Sequence, residues 1–72
     1  MSDAPLRIDA RGLKCPWPAI RLGRALRGGA AIVEISADDP AAERELAALA
    51  SACGAAFTRL ESQVFRIETR AV

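Results

Sequence analysis

The sequence predicts an α+β protein: a two-layer α/β sandwich of order βαβαββ, with two helices on one face of a four-stranded mixed sheet. Two kinds of segment follow one another along the chain. In the first, apolar residues alternate with polar ones or form a nearly continuous β-branched run, as in strands; in the second, apolar residues recur every three or four positions, as in helices. A strand, a helix and a second strand make a right-handed crossover. We therefore expect the first two strands to be parallel and the helices to share one face.

The first three elements are predicted from apolar spacing and from glycines. Residues 6–10 alternate between apolar and polar and turn at Gly12, which predicts a strand. Residues 16–27 carry one apolar stripe and stop at two glycines, which predicts a helix. Residues 30–37 are rich in β-branched residues and nearly continuous in apolar character, which is typical of a central strand.

The second helix is predicted to start with Asp39 as its cap and Pro40 at its first helical position. Its apolar stripe extends to Cys53 and it ends at Gly54. Residues 56–61 and 64–70 are predicted strands joined by a short hairpin connection. We expect a single domain over residues 1–72, with its core in about residues 6–70.

Composition excludes several function classes. The net charge of +1 and the three scattered aromatic residues argue against a nucleic-acid protein. Histidine is absent, so the commonest general base and metal ligand is missing, and we expect neither a metal nor a cofactor. Residues 1–5 lack a signal pattern and no apolar run could span a membrane, so we expect a cytoplasmic protein whose thiols stay reduced.

Cys15 is the strongest candidate for chemistry. It lies in the run Gly12-Leu13-Lys14-Cys15-Pro16-Trp17-Pro18, which predicts Pro16 at the first position of the helix and Cys15 as its N-cap. The positive end of the helix dipole and the neighbouring Lys14 would favour the thiolate, which is the nucleophilic form. The alternative is a small buried hydrophobic residue, but the position outside any apolar stripe favours the functional interpretation.

Neighbouring residues are predicted to hold the thiol in place. Pro16 and Pro18 would fix the direction of the helix entry, and Pro18 restrains Trp17, which either covers the site or contacts a partner. Asp9 is expected to brace the loop by accepting backbone N–H bonds. The shared crossover would make the Asp38-Asp39 loop a neighbour of the Cys15 loop, and we interpret these two carboxylates as caps.

Two further patterns have competing interpretations. Arg21, Arg24 and Arg27 recur every third residue, which fits both a solvated helix face and a docking surface for an acidic partner. Cys53 completes an apolar stripe, so we expect a packed and inert thiol. It should lie on the order of 20 Å from Cys15, beyond disulfide reach.

The run Asp9-x-x-Gly12-Leu13-Lys14-Cys15-Pro16-Trp17-Pro18, followed by Ala37-Asp38-Asp39-Pro40, resembles the TusA (SirA-like) sulfur-carrier family over residues 6–70. The resemblance implies that Cys15 carries sulfane sulfur as a persulfide. A cysteine desulfurase or rhodanese-like donor would supply the sulfur, and a downstream acceptor protein would take it for tRNA thiolation, sulfur oxidation or cofactor assembly. Trp17 is a departure, because a polar or acidic residue is common there in the family.

The expected mechanism is attack of an already ionised Cys15 on the outer sulfur of a donor persulfide, with no separate base. A thiol redox module is an alternative, although the residue three after Cys15 is Pro18 and no Cys-x-x-Cys pair exists. A regulatory module that docks through the three arginines is another. The oligomeric state is left open by the sequence.

Overall fold

The strands and helices occur in the predicted order βαβαββ. The computed structural model describes residues 5–69. The elements are β1 (Leu6–Asp9), α1 (Trp17–Arg27), β2 (Ile32–Ser36), α2 (Ala42–Ala52), β3 (Ala56–Glu61) and β4 (Val64–Glu68). Residues 56–61 form a strand with the bounds that were predicted, whereas the other strands are shorter by one to three residues. Arg70, the predicted end of the last strand, lies outside the described residues.

The four strands form one mixed sheet in the order β1-β2-β4-β3. β1 and β2 are parallel, as the crossover rule predicts, and the other two pairs are antiparallel. Pairing of Ile8 with Ile35, and of Ile35 with Phe65, aligns apolar residues across neighbouring strands. The predicted α+β fold class is confirmed.

The core lies between the sheet and the two helices. The strands contribute alternate residues to this layer, namely Val33, Ile35, Phe65 and Ile67, and Ile32 at the start of β2 is buried as well. The helices contribute Leu22 from α1 and, from α2, Ala42, Leu46 and Ala50. Because the buried residues repeat with a period of two in the strands and near 3.6 in the helices, the periodicity of the sequence maps onto one shared layer.

The two helices pack closely at Gly23. This glycine is buried in α1, and a Cβ atom there would lie 3.8 Å from Leu49 Cδ2 of α2 and 3.4 Å from Arg27 Nη1. Both distances are ordinary van der Waals contacts, so an alanine would fit at this position.

Both helices begin later than the sequence predicts. Pro16 is the N-cap of α1, so Cys15 precedes the cap and the prediction of Cys15 as N-cap is wrong. A turn in which Trp17 N–H donates to Lys14 O at 2.8 Å occupies the residues before the helix. In α2, Ala41 is the N-cap instead of Asp39. Asp39 accepts the N–H groups of Ala41 and Ala42 and so forms the turn that leads into the helix.

The other face of the sheet is polar along its centre. Arg7 pairs with Glu34 at 3.5 Å, and Arg66 lies opposite Glu34 in the register of β2 and β4. Within residues 5–69, no helix has the length and apolar character needed to cross a membrane.

Replacing Leu46 with alanine should destabilise the protein by about 2–5 kcal/mol, because the side chain is fully buried between α2 and the sheet. Leu60→Ala is the matched control, since Leu60 is 45% exposed, and it should cost less than about 1 kcal/mol. Urea unfolding of both variants measures the difference. Equal losses of unfolding free energy in the two variants would contradict the placement of Leu46 in the core.

Candidate functional site

Cys15 is an exposed free thiol in the loop that joins β1 to α1. The loop lies beside the segment that joins β2 to α2, because parallel strands end at the same edge of a sheet. Gly12 N–H donates to Asp38 Oδ1 at 2.9 Å and links the two loops. Ala10 N–H donates to Ser36 O at 2.7 Å and continues the strand pairing up to this point. The predicted proximity of the two loops is confirmed.

Gly12 has a positive φ of 84°, a backbone conformation that favours glycine. Nothing lies within 4 Å of where its Cβ would be, so the requirement is conformational and not steric. In this conformation the Gly12 amide donates to Asp38. Capping was the predicted role for Asp38, and this cross-loop contact was missed because its partner is 26 residues away in the sequence.

Asp9 binds locally to Arg11. Its carboxylate accepts the Arg11 backbone N–H at 3.1 Å and pairs with the Arg11 guanidinium at 2.9 Å. Hydrogen bonds from Arg11 lower the pKa of Asp9 to about 2. Asp9 thus orders the first turn of the loop, whereas Asp38 links the loop to its neighbour. Sequence reasoning did not single out Arg11, although the Asp-x-Arg spacing is compatible with a local turn.

The residues after Cys15 divide into a buried anchor and an exposed surface. The peptide bond between Cys15 and Pro16 is cis. Pro18 is fully buried in the first turn of α1. Trp17 is 55% exposed, so more than half of its surface is open to a partner. Lys14 is also exposed.

The electrostatic surroundings of Cys15 favour the thiol. A hydrogen bond with Glu45, together with partial desolvation and the negative charges of Glu45 and Asp39, raises the pKa of Cys15 above its ordinary value. Arg44 acts in the opposite direction and lowers it. This direction is opposite to the one predicted from the helix dipole and Lys14, and Lys14 is not among the groups that shift the pKa of Cys15. Cys15 lies before the N-cap of α1, and the acids that raise the pKa of its thiol are Glu45 in the first turn of α2 and Asp39 in the loop before that helix.

Cys53 is exposed and does not form part of the packed core, so the prediction of a buried, inert thiol is wrong. The helix ends at Ala52, and the last buried position of its stripe is Ala50. Cys53 follows as the C-cap, where its N–H donates to Leu49 O and Ala50 O. Both cysteines are free, as predicted.

A shallow groove lies between the helices. One depression of about 330 Å³ includes Gly23, Arg27, Leu49 and Cys53 in its lining. A second, of about 290 Å³, shares the first three of these residues and extends to Pro16. The two depressions together connect the neighbourhood of Cys15 with that of Cys53.

Helix α1 presents an unpaired basic surface. Arg21, Arg24 and Arg27 are all exposed, and α1 contains no acidic residue. Ion pairs within residues 5–69 use other arginines: Arg7, Arg11 and Arg59. The same described part of the chain holds no group of three or more His, Cys, Asp or Glu side chains that could bind a metal ion.

The chain thus combines a small α+β fold with an accessible thiol and an exposed basic helix. A model of the family described as sulfurtransferase TusA matches residues 6–70, and the chain belongs to this family. It is 37% identical over 71 residues to a protein of Archaeoglobus fulgidus named "Putative sulfur carrier protein", and the match spans 92% of each chain. The fold is similar to the crystal structure of a SirA-like protein from Desulfitobacterium hafniense, with a TM-score of 0.68 and 28% identity, over 86% of this chain and 90% of that chain.

Glu45→Gln should lower the pKa of the Cys15 thiol, because a neutral amide neither attracts the thiol proton as a carboxylate does nor repels the thiolate. The measurement is the rate of alkylation by iodoacetamide as a function of pH. It is made in a Cys53→Ser background, so that only Cys15 is alkylated. The midpoint should move to lower pH.

Glu43→Gln is the matched control, since Glu43 lies on the same helix but pairs with Arg59 at 3.2 Å. The midpoint of its alkylation rate against pH should equal that of the Cys53→Ser protein. An unchanged midpoint in Glu45→Gln would show that the carboxylate does not act on Cys15.

Proposed function

We propose that this protein is a sulfur-relay carrier that accepts sulfane sulfur as a persulfide on Cys15 and passes it to an acceptor protein. The observation that carries the proposal is the exposed thiol on a loop held by the Gly12–Asp38 hydrogen bond, in a chain of the TusA family. The name of the Archaeoglobus fulgidus relative supports the same role.

The transfer is a thiol exchange in which no net oxidation occurs. The Cys15 sulfur attacks the outer sulfur of a donor persulfide, a new S–S bond forms, and the donor's S–S bond breaks. The donor leaves as a thiol, and Cys15 bears the terminal sulfur. An acceptor cysteine repeats the attack on that sulfur and regenerates the Cys15 thiol.

The partners we propose are a cysteine desulfurase or rhodanese-like donor and a cysteine-containing acceptor. Such proteins would dock beside Cys15 through Trp17 and the arginines of α1, because these side chains are exposed and the arginines have no ion-pair partner among the described residues. A partner with an acidic surface would be steered towards the thiol. We propose the cytoplasm as the compartment, since free thiols persist there.

Incubation with a desulfurase and cysteine should add the mass of one sulfur atom to the Cys15 peptide, as read by mass spectrometry. Cys15→Ser should abolish the addition, and Cys53→Ser, which also removes an exposed thiol, should leave it intact. Loading that persists in Cys15→Ser, or that moves with Cys53, would contradict the proposal. Formation of a Cys15–Cys53 disulfide instead would favour a redox role.

Arg24→Gln should slow loading by a protein donor by roughly threefold to tenfold at low salt, because a charge at the edge of an interface acts mainly on the association rate. Arg7→Gln is the matched control, since Arg7 is equally a surface arginine but lies on the polar face of the sheet and pairs with Glu34. Stopped-flow loading at two salt concentrations measures the effect. Equal rates for the two variants would argue against docking through α1.

A further inference from the structure

The groove between the two helices has apolar walls and one charged residue. Its larger depression, of about 330 Å³, is lined by the exposed thiol of Cys53 and by half-buried apolar side chains, which include Leu26, Ala30 and Leu49. In the described part of the chain, Arg27 is the one charged residue that lines this depression or its smaller neighbour of about 290 Å³. Apolar walls with a few polar groups, in a cavity of this size, are typical of small-molecule sites.

The Arg27 side chain folds back along α1 to the groove. Its Nη1 atom lies 3.4 Å from the position that a Cβ atom would take at Gly23, and Gly23 is buried where α1 meets Leu49 of α2. The ion pairs found within residues 5–69 involve other arginines. The guanidinium is therefore available to an anion at the groove.

The hydroxyl of Thr69, which also lines the larger depression, is already engaged. It donates to Ala31 O at 3.1 Å and to Ala30 O at 3.3 Å. None of the described residues that line this depression is acidic, so no lining carboxylate repels an anion there. The ligand that fits has an apolar body and one negative charge, because the walls favour burial of hydrocarbon and a guanidinium pairs with a carboxylate.

We propose that this groove is a binding site for a small apolar carboxylate, whose charged group pairs with Arg27. The hydrocarbon chain lies in the larger depression, between Leu26 of α1 and Leu49 of α2, and covers Cys53. The site goes beyond sulfur transfer, since Cys15 lines neither depression. Arg27 also belongs to the surface that we propose for sulfur partners, so a bound carboxylate would compete with their docking.

Octanoate is the probe, and the two thiols report where it binds. The rate of iodoacetamide alkylation at each cysteine is followed by mass spectrometry over a range of octanoate concentrations. At saturation, octanoate should slow alkylation of Cys53 by about fivefold or more and change that of Cys15 by less than about twofold, because alkylation requires an accessible thiol. Slowing of both thiols together, or of neither, would overturn the proposal.

The role of the charge is tested on the protein and on the probe. Arg27→Gln should raise the octanoate concentration that gives half-maximal protection of Cys53 by roughly tenfold, because it removes a charge-assisted pair. Because Arg27 is exposed, this variant should keep the fold. Arg24→Gln is the matched control, since Arg24 is exposed on the same helix but lines neither depression, and its midpoint should equal that of the wild type.

Octanol has the same apolar chain without the charge, so it should protect Cys53 equally in the wild type and in Arg27→Gln. Equal octanoate midpoints in these two proteins would overturn the assignment of Arg27 and with it the proposal. If a sulfur-donor protein protects Cys53 and octanoate does not, the groove is a protein interface and the proposal fails. None of these measurements uses sulfur loading, so their outcome is independent of the proposed function.

Discussion

The hydrogen bond from Gly12 N–H to Asp38 Oδ1 is the contact on which the site depends. It requires the parallel pairing of β1 with β2, which brings the ends of both strands to one edge, and the left-handed backbone at Gly12. Once the two loops are joined, Cys15 lies next to the first turn of α2. The surroundings of the thiol are therefore set by a helix that begins 27 residues further along the chain.

That arrangement gives the thiol a different character from a cysteine at a helix N-cap. An N-cap thiol is exposed to unpaired N–H groups and to the positive end of the dipole, which favour the thiolate. Cys15 precedes the cap, and Glu45 in α2 raises the pKa of its thiol above the ordinary value. A carrier with a protonated thiol reacts slowly with oxidants and alkylating agents.

The surfaces around the site differ in character. The helix layer presents an exposed tryptophan, unpaired arginines on α1 and a groove that extends from the first turn of α1 to the exposed Cys53. The far side of the sheet carries charged residues that pair with one another, as in Arg7 and Glu34. The exposed Trp17 and the arginines of α1 thus belong to the element that follows the Cys15 loop, which supports docking by the helix layer.

The sequence by itself determined the order of the elements, the core and the identity of the candidate thiol. These follow from local patterns: Leu22 and Leu46 lie in helical stripes of period 3.6, while Val33 and Ile35 lie in the nearly continuous apolar run that predicted a central strand. Tertiary structure alone decided the contacts made across the chain. Glu45 is separated from Cys15 by a whole strand in the sequence, and only the folding of α2 beside the Cys15 loop lets its charge raise the pKa of the thiol. Likewise, Cys53 follows the apolar stripe in sequence, but the helix ends one residue earlier and leaves it exposed. Side-chain periodicity depends on neighbours in sequence, whereas the pKa and exposure of a thiol depend on neighbours in space.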